Sequence, residues 1–305
     1  MQAARIHAFG DPSVIRLDDV ARPVPGPGEV LLEVAATSVN PSEIGLRSGW
    51  LTEILPVTLP YTLGWDVAGT ISAIGPGVRG LTPGDRVIGQ LDGGAAAEYA
   101  VAPAELLVRA PHRIALRDAA ALPIAGLTAW QAIDRARIQP GRRVLVNGAG
   151  GGVGGLVVQL ARHAGGHVIA TASARSADAV RRLGAHEIVD YTAGPVADAV
   201  TEPVDVLLHL VPDSGAEVAG LVRPGGVIVS ITTEVAADGA RSEQFVMRRD
   251  PAQLADLVRL VDAGVVSVDI ADVWPLSEIA AVHADAEAGR LRGKALIVPS
   301  AGGKG

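Results

Sequence analysis

The chain of 305 residues has no cysteine. This excludes disulfides, thiolate metal centres and a cysteine nucleophile. Aromatic residues reach only 3% and methionine occurs twice, so the interior has to be built from Ala, Val, Leu and Ile, within a hydrophobic share of 49%. Positive charge is not in excess: the formal net charge of −7 argues against non-specific nucleic-acid binding. No uninterrupted apolar run is long enough to span a bilayer. Arg5 and His7 come early, with no signal-type apolar block around them, so a cytoplasmic protein without membrane contact is expected. The scattered histidines default to surface or packing roles, and no metal site is expected.

Glycine, in contrast, is abundant, and its densest run sits in a defined context. Val144 to Val146 is a short apolar run suited to a buried parallel strand. Five glycines follow between Gly148 and Gly154, then a helical pattern over Val153 to Ala164 and a second strand over His167 to Thr171. A β-turn-α-β unit with a nearly bare turn lets a pyrophosphate approach backbone N–H groups at a helix N-terminus. The best register is Gly148-x-x-Gly151-x-x-Gly154. It makes Gly148, Ala149, Gly150, Gly151, Gly152, Val153 and Gly154 candidate cofactor contacts.

The end of the second strand selects the cofactor. An NAD site usually places Asp or Glu there. Here Thr171-Ala-Ser173-Ala-Arg175-Ser176 has no acid, but offers the Ser173 hydroxyl and the Arg175 guanidinium. Arginine suits a dianionic phosphate, so NADPH is favoured; the alternative is that Arg175 only opens a solvated helix. The missing acid also disfavours a methyltransferase.

Further strands are expected over Glu187–Asp190, Val204–Leu210 and Gly226–Ile231, with an edge strand over Glu243–Met247. Helices are expected over Ala177–Leu183, Asp213–Val222 and Ala252–Ala263. This alternation predicts an α/β doubly wound parallel sheet, a Rossmann domain over 112–265. Ligands lie outside the carboxyl ends of such strands, which nominates Leu210, Val211 and Thr232. Residues 1–111 read differently: short apolar runs alternate with Pro-Gly turns, as in a β-barrel-type domain, rejoined by the chain from 266 to 305. Residues 301–305 read as a frayed tail.

The motifs Pro25-Gly-Pro-Gly-Glu-Val-Leu-Leu-Glu-Val34, Ser38-Val-Asn-Pro-Ser42, Leu63-Gly-Trp-Asp-Val-Ala-Gly69, Gly84-Asp-Arg-Val87, Ala97-Glu-Tyr99, Pro123-Ile-Ala-Gly-Leu-Thr-Ala-Trp130 and Arg292-Gly-Lys294 stand in this order. With the nucleotide turn, they resemble the medium-chain dehydrogenase/reductase superfamily along essentially the whole chain. Within it, the chain resembles the zinc-independent quinone oxidoreductase branch. Zinc-dependent members carry Cys where this chain has Asn40, and His-Glu where it has Trp65-Asp66.

The resemblance implies a GroES-like catalytic domain beside the Rossmann domain, and NADPH-dependent reduction of a quinone or other conjugated carbonyl. It also implies a homodimer joined through the last edge strand. Alternatives are an enoyl or 2-enone C=C reductase and a non-catalytic NADPH-binding protein. Asn40 is the first candidate for a polar contact near nicotinamide or substrate, with Ser42 and Thr128 next. Thr128 is otherwise a helix-capping threonine. Trp50 and Trp65 either wall the substrate pocket or pack in the core. Tyr191 is placed near the adenosine phosphate or is merely a strand-end tyrosine, and Lys294 joins the cofactor contacts. Asp66 reads as a hydrogen-bond acceptor that fixes loops rather than a general acid.

Overall fold

A computed structural model describes residues 1–213 and 215–299. The chain divides into two compact units. The first comprises Met1–Ile124, Arg249–Asp262 and the chain from Ile270 on; the second comprises Ala125–Arg248 and Ala263–Asp269.

The first unit is built on the strand Glu29–Ser38. It pairs antiparallel with Asp66–Ile74, Tyr99–Pro103 and Lys294–Val298. The strands Arg86–Gln90, Leu107–Arg109 and Ile270–Pro275 extend this sheet. Gln2–Ile6 pairs separately with Ile15–Asp19 and Tyr61–Thr62. Val30, Leu32 and Val34 pack with Val67, Ile71 and Val87 in one apolar cluster. Ala4, Ile6, Leu46, Leu63, Trp65, Val282 and Ile297 form another. All residues of Glu29–Ser38 except Glu29, Glu33 and Ala35 are buried, and these seven are apolar or hydroxylic, as a strand flanked by packed side chains requires.

The second unit is the doubly wound sheet. Its strands are β1 (Arg143–Asn147), β2 (His167–Thr171), β3 (Glu187–Val189), β4 (Val204–His209), β5 (Val222–Ser230) and β6 (Arg241–Gln244). All pairings are parallel, and the spatial order is β3-β2-β1-β4-β5-β6. Arg117–Ala121 is a 3-10 helix, and Pro123 opens the helix Pro123–Ala136, where a first-turn proline forfeits no intrahelical bond. Several boundaries differ from the sequence expectation. The helix expected over Asp213–Val222 shrinks to Ala216–Ala219, and β5 begins at Val222. The edge strand stops at Gln244. Residues 301–305 lie outside the described residues.

One buried group in the first unit ties stability to pH. His283 lies on the helix Ile279–Glu287 and is wholly buried; neither ring nitrogen has a hydrogen-bond partner among the described residues. Burial, and then the nearby Arg47 guanidinium, push its pKa down from 6.5 to about 4. The folded protein therefore keeps this imidazole neutral while the unfolded chain protonates it. Its share of stability is complete above pH 6.5 and is lost as pH falls toward 4, about 3 kcal/mol over the full passage. Denaturant titrations at pH 7 and pH 5 are expected to show this loss, and His283→Leu is expected to remove most of it. An unchanged pH slope in the variant would assign the acid sensitivity to other groups.

Candidate functional site: a nucleotide turn and a buried polar cluster

In the second unit, strand order reverses direction at β1, which opens a crevice at the carboxyl ends of β1 and β4. The glycine turn leaves β1 at this point. Gly148 has φ +97°, a left-handed conformation that suits glycine, and a Cβ there would stand 2.8 Å from Val211 Cγ1. The helix Gly152–His163 begins with Gly151 as its N-cap. A Cβ on Gly154 would lie 2.2 Å from the Gly148 carbonyl oxygen, so this glycine permits the helix to close on the turn. A Cβ on Gly151 would meet only that same oxygen, at 3.7 Å. The turn is therefore packed at Gly154 and open at Gly151. The first amides of the helix have no intrahelical acceptor and carry the positive end of its dipole. Together these form a cradle for a phosphate group. Gly152 and Val153 are half-buried at its rim, Ala149 is buried beneath it, and Gly150 packs against Ser176.

Beside this turn, β2 ends at Thr171, and Ser173 is the N-cap of the helix Ala174–Arg182. Ser173 makes no side-chain capping bond. Arg175 is exposed in the first turn of that helix, which holds no acidic residue. A cation at a helix N-terminus opposes the dipole. Tyr191, just after β3, is 52% exposed. The Leu210 N–H donates to the Asn147 carbonyl at 3.0 Å. The Thr232 hydroxyl donates to the Val211 carbonyl at 2.6 Å. Thr128 is buried in the interior of the helix Pro123–Ala136, so it caps no helix start.

In the first unit, Asp66 is the hub of a buried polar cluster. Its Oδ1 accepts the Ile124 N–H at 2.8 Å. Its Oδ2 accepts from the Ser38 hydroxyl and from Asn40 Nδ2 at 2.9 Å. Lys294 Nζ stands 3.5 Å from Asp66 Oδ2, 2.7 Å from Asn40 Oδ1 and 3.3 Å from the Val39 carbonyl oxygen. Three acceptors thus surround the three N–H bonds of an ammonium group. Burial draws the Lys294 pKa below the usual lysine range, and Asp66 opposes that shift. Asn40 also donates to the Ser38 carbonyl at 3.2 Å, so both its amide hydrogens are used inside the cluster. Glu43 is buried beside them and accepts the Gly64 N–H. Burial pushes its pKa up to about 8, so it is uncharged at neutral pH.

The remaining candidates stand apart from this cluster. Ser42 is exposed on the helix Pro41–Ser48, and Trp50 is 82% exposed. Trp65 belongs to the apolar core, where its indole N–H donates to the Tyr61 hydroxyl at 2.7 Å. Sequence reasoning nominated Asn40 and Lys294 and read Asp66 as a structural acceptor, but it overlooked Glu43. A single acid two residues after a Pro carries no signal of its burial.

Residues 26–112 match a family model described as an alcohol dehydrogenase GroES-like domain, and residues 183–297 match one described as a zinc-binding dehydrogenase. The chain is 32% identical to a chloroplast envelope quinone oxidoreductase homolog of Arabidopsis thaliana, over 98% of both chains. The chain belongs to the medium-chain dehydrogenase/reductase superfamily, in its quinone oxidoreductase branch. An NADPH-dependent alkenal/one oxidoreductase of the Arabidopsis thaliana chloroplast is 32% identical over 95% of this chain and 78% of its own length. The quinone oxidoreductase structure from Coxiella burnetii superposes with a TM-score of 0.91 at 31% identity, covering 98% of this chain and 99% of that one.

The zinc in the description of one matching family does not suit the residues of this reductase-family chain. Cysteine is lacking, and Asn40 and Trp65-Asp66 stand where zinc-dependent members carry Cys and His-Glu. Asp66 Oδ2 already takes three donors, one of them an ammonium that would repel a metal cation. His163 and His167 are four apart in sequence, but one ends a helix and the other starts β2. Among the described residues no group of three or more His, Cys, Asp or Glu is placed to hold a metal. A nicotinamide dinucleotide does suit the chain, because the turn leaves open the space that a Cβ at Gly151 would fill.

Proposed function

We propose that this protein is an NADPH-dependent oxidoreductase that works without zinc and reduces a quinone or another conjugated carbonyl acceptor. The observation that carries the reading is the open glycine turn followed by a second strand that ends without an acid and leads to Arg175. The names of the relatives, quinone and alkenal/one oxidoreductases, support the acceptor class. When bound, NADPH would supply the hydride.

The chain's own residues do the rest. Gly152 and Val153 receive the pyrophosphate on backbone amides, Gly151 leaves room for it, and Ser173 and Arg175 hold the extra phosphate. Tyr191 flanks the adenosine side, and Leu210, Val211 and Thr232 offer backbone contacts. Thr128 joins the nicotinamide side. Asn40 and Lys294 position the backbone around Asp66; Asn40 Oδ1 accepts from Lys294, which leaves it one lone pair for an outside partner. Ser42, Trp50 and Trp65 shape the acceptor side. We place the homodimer contact on the β6 edge, near which Val246 is 86% exposed; an apolar side chain beside a strand edge calls for cover. Among the described residues no helix is long and apolar enough to cross a membrane.

Steady-state oxidation of NADPH and NADH with panels of quinones and 2-enones tests the reading. NADPH turnover with one panel is expected, and the better panel separates quinone from enone reduction. Tight NADPH binding without turnover on either would favour the non-catalytic alternative. Arg175→Ala is expected to raise the KM for NADPH roughly tenfold, the loss of about 1.4 kcal/mol of charge-assisted bonding, and to leave that for NADH nearly unchanged. Equal effects on both cofactors would remove Arg175 from the phosphate site.

A further inference from the structure

Three neighbouring strands of the second unit end on polar side chains: β2 on Thr171, β1 on Asn147 and β4 on His209. Thr171 and His209 are almost fully buried. The three side chains are linked in one line across the carboxyl ends of the strands. Gly148 N lies 2.9 Å from Thr171 Oγ1, and Thr171 Oγ1 lies 2.9 Å from Asn147 Oδ1. Asn147 Nδ2 lies 3.2 Å from His209 Nδ1, and His209 Nε2 lies 3.3 Å from the Asp213 carbonyl oxygen.

The direction of every bond follows from the two ends. A backbone N–H can only donate, so Gly148 donates to the Thr171 oxygen. The Thr171 hydroxyl then turns its own hydrogen to Asn147 Oδ1. That fixes the amide orientation and presents Nδ2–H to His209, whose Nδ1 must accept. A ring proton on Nε2 then faces two acceptors of Asp213, the carbonyl oxygen at 3.3 Å and Oδ1 at 3.4 Å. The chain of donors is complete with His209 accepting at Nδ1 and donating from Nε2.

We propose that Thr171, Asn147 and His209 are positioning residues that hold the Gly148 peptide, and with it the nucleotide turn, in the form that receives the pyrophosphate of the dinucleotide. This rests on the NADPH reading above. Gly148 is the residue on which the turn pivots, at φ +97°, and its carbonyl oxygen lies against both Gly151 and Gly154. Its N–H points to Thr171, so rotation of the peptide breaks the line at its first bond. The far end is anchored as well. Besides the ring, the Asp213 carbonyl accepts the Thr233 hydroxyl at 2.6 Å, and the Asp213 carboxylate accepts the Gly215 N–H at 2.7 Å. His209 thus ties the turn after β1 to the loop after β4, the two segments that flank the crevice. Cooperative polarisation along such a line makes its members act as a unit.

The test is calorimetric titration of NADPH into the full chain, with thermal melts in parallel. Thr171→Val keeps the side-chain volume and deletes the hydroxyl; it is expected to weaken NADPH about tenfold, 1.4 kcal/mol. Thr171→Ser, which restores the hydroxyl, is expected to recover affinity to within about twofold. His209→Leu is expected to weaken NADPH as Thr171→Val does, and the double variant is expected to lose less than the product of the two. His209→Asn, with an oxygen near the place of Nδ1, covers the case in which His209→Leu does not fold; it is expected to bind more tightly than Thr171→Val. Wild-type affinity in a folded Thr171→Val protein, or losses that multiply independently, would overturn the positioning role alone. Failure of the unaltered chain to bind NADPH would overturn the cofactor reading, and this role with it.

Discussion

Lys294→Met is expected to destabilise the protein by about 3–5 kcal/mol, the range for removing one partner of a buried ion pair. Lys294 is 6% exposed and Asp66 is wholly buried. With Glu43 uncharged at neutral pH, the Lys294 ammonium is the positive group within reach of the Asp66 carboxylate. Methionine fills much of the same volume but offers no proton to Asp66, Asn40 or the Val39 carbonyl. Asp66 would keep its bonds from Ser38, Asn40 and the Ile124 N–H, so the pocket need not collapse. The penalty comes from charge left without a counterpart in a dry setting. Adding Asp66→Asn to Lys294→Met is therefore expected to recover part of the loss. Urea denaturation at pH 7 reads both effects through the midpoint. A loss below about 1 kcal/mol for the single variant would place the pair in the range of exposed ion pairs and contradict the burial argument.

The same cluster shows how far the sequence could be read. Strand periodicity and glycine spacing act over a few residues, so the second unit was legible almost element by element. His167–Thr171 begins and ends as expected, and the register Gly148-x-x-Gly151-x-x-Gly154 is matched by one turning, one open and one packed glycine. Pairing of side chains distant in the chain was not legible. Asn40, Asp66 and Lys294 meet only because the strands Asp66–Ile74 and Lys294–Val298 both pair with Glu29–Ser38. Nothing in the local pattern around Asn40 shows that its amide hydrogens are already used. The line from Thr171 to His209 was hidden for the same reason: each member closes a separate strand, and only the order β2-β1-β4 makes them neighbours. The shortened helix at Ala216–Ala219 has a different cause. Val218 and Ala219 are buried, while flanking Gly215 and Gly220 weaken helix propagation on both sides.

Two glycines of the nucleotide turn are expected to fail in different ways when given a methyl group. In Gly154→Ala the new Cβ would lie 2.2 Å from the Gly148 carbonyl oxygen and 2.6 Å from Ala149 Cα, both backbone atoms that no rotamer change can move. The helix Gly152–His163 must then shift away from the turn. Overpacking of this kind costs roughly 1–3 kcal/mol. The displaced helix N-terminus is also expected to lose NADPH affinity on the order of a hundredfold, twice 1.4 kcal/mol. Gly151→Ala presents the opposite case. Gly151 has φ −86°, within reach of alanine, and the added Cβ meets nothing closer than 3.7 Å. This variant is expected to melt within a few degrees of the parent, since neither strain nor a clash arises. It is still expected to bind NADPH more weakly, because the methyl takes space that the phosphate needs. Thermal melts and NADPH titrations on the two proteins separate packing from ligand contact. A Gly151→Ala protein with unchanged affinity would show that the phosphate does not rest on the open side of the turn.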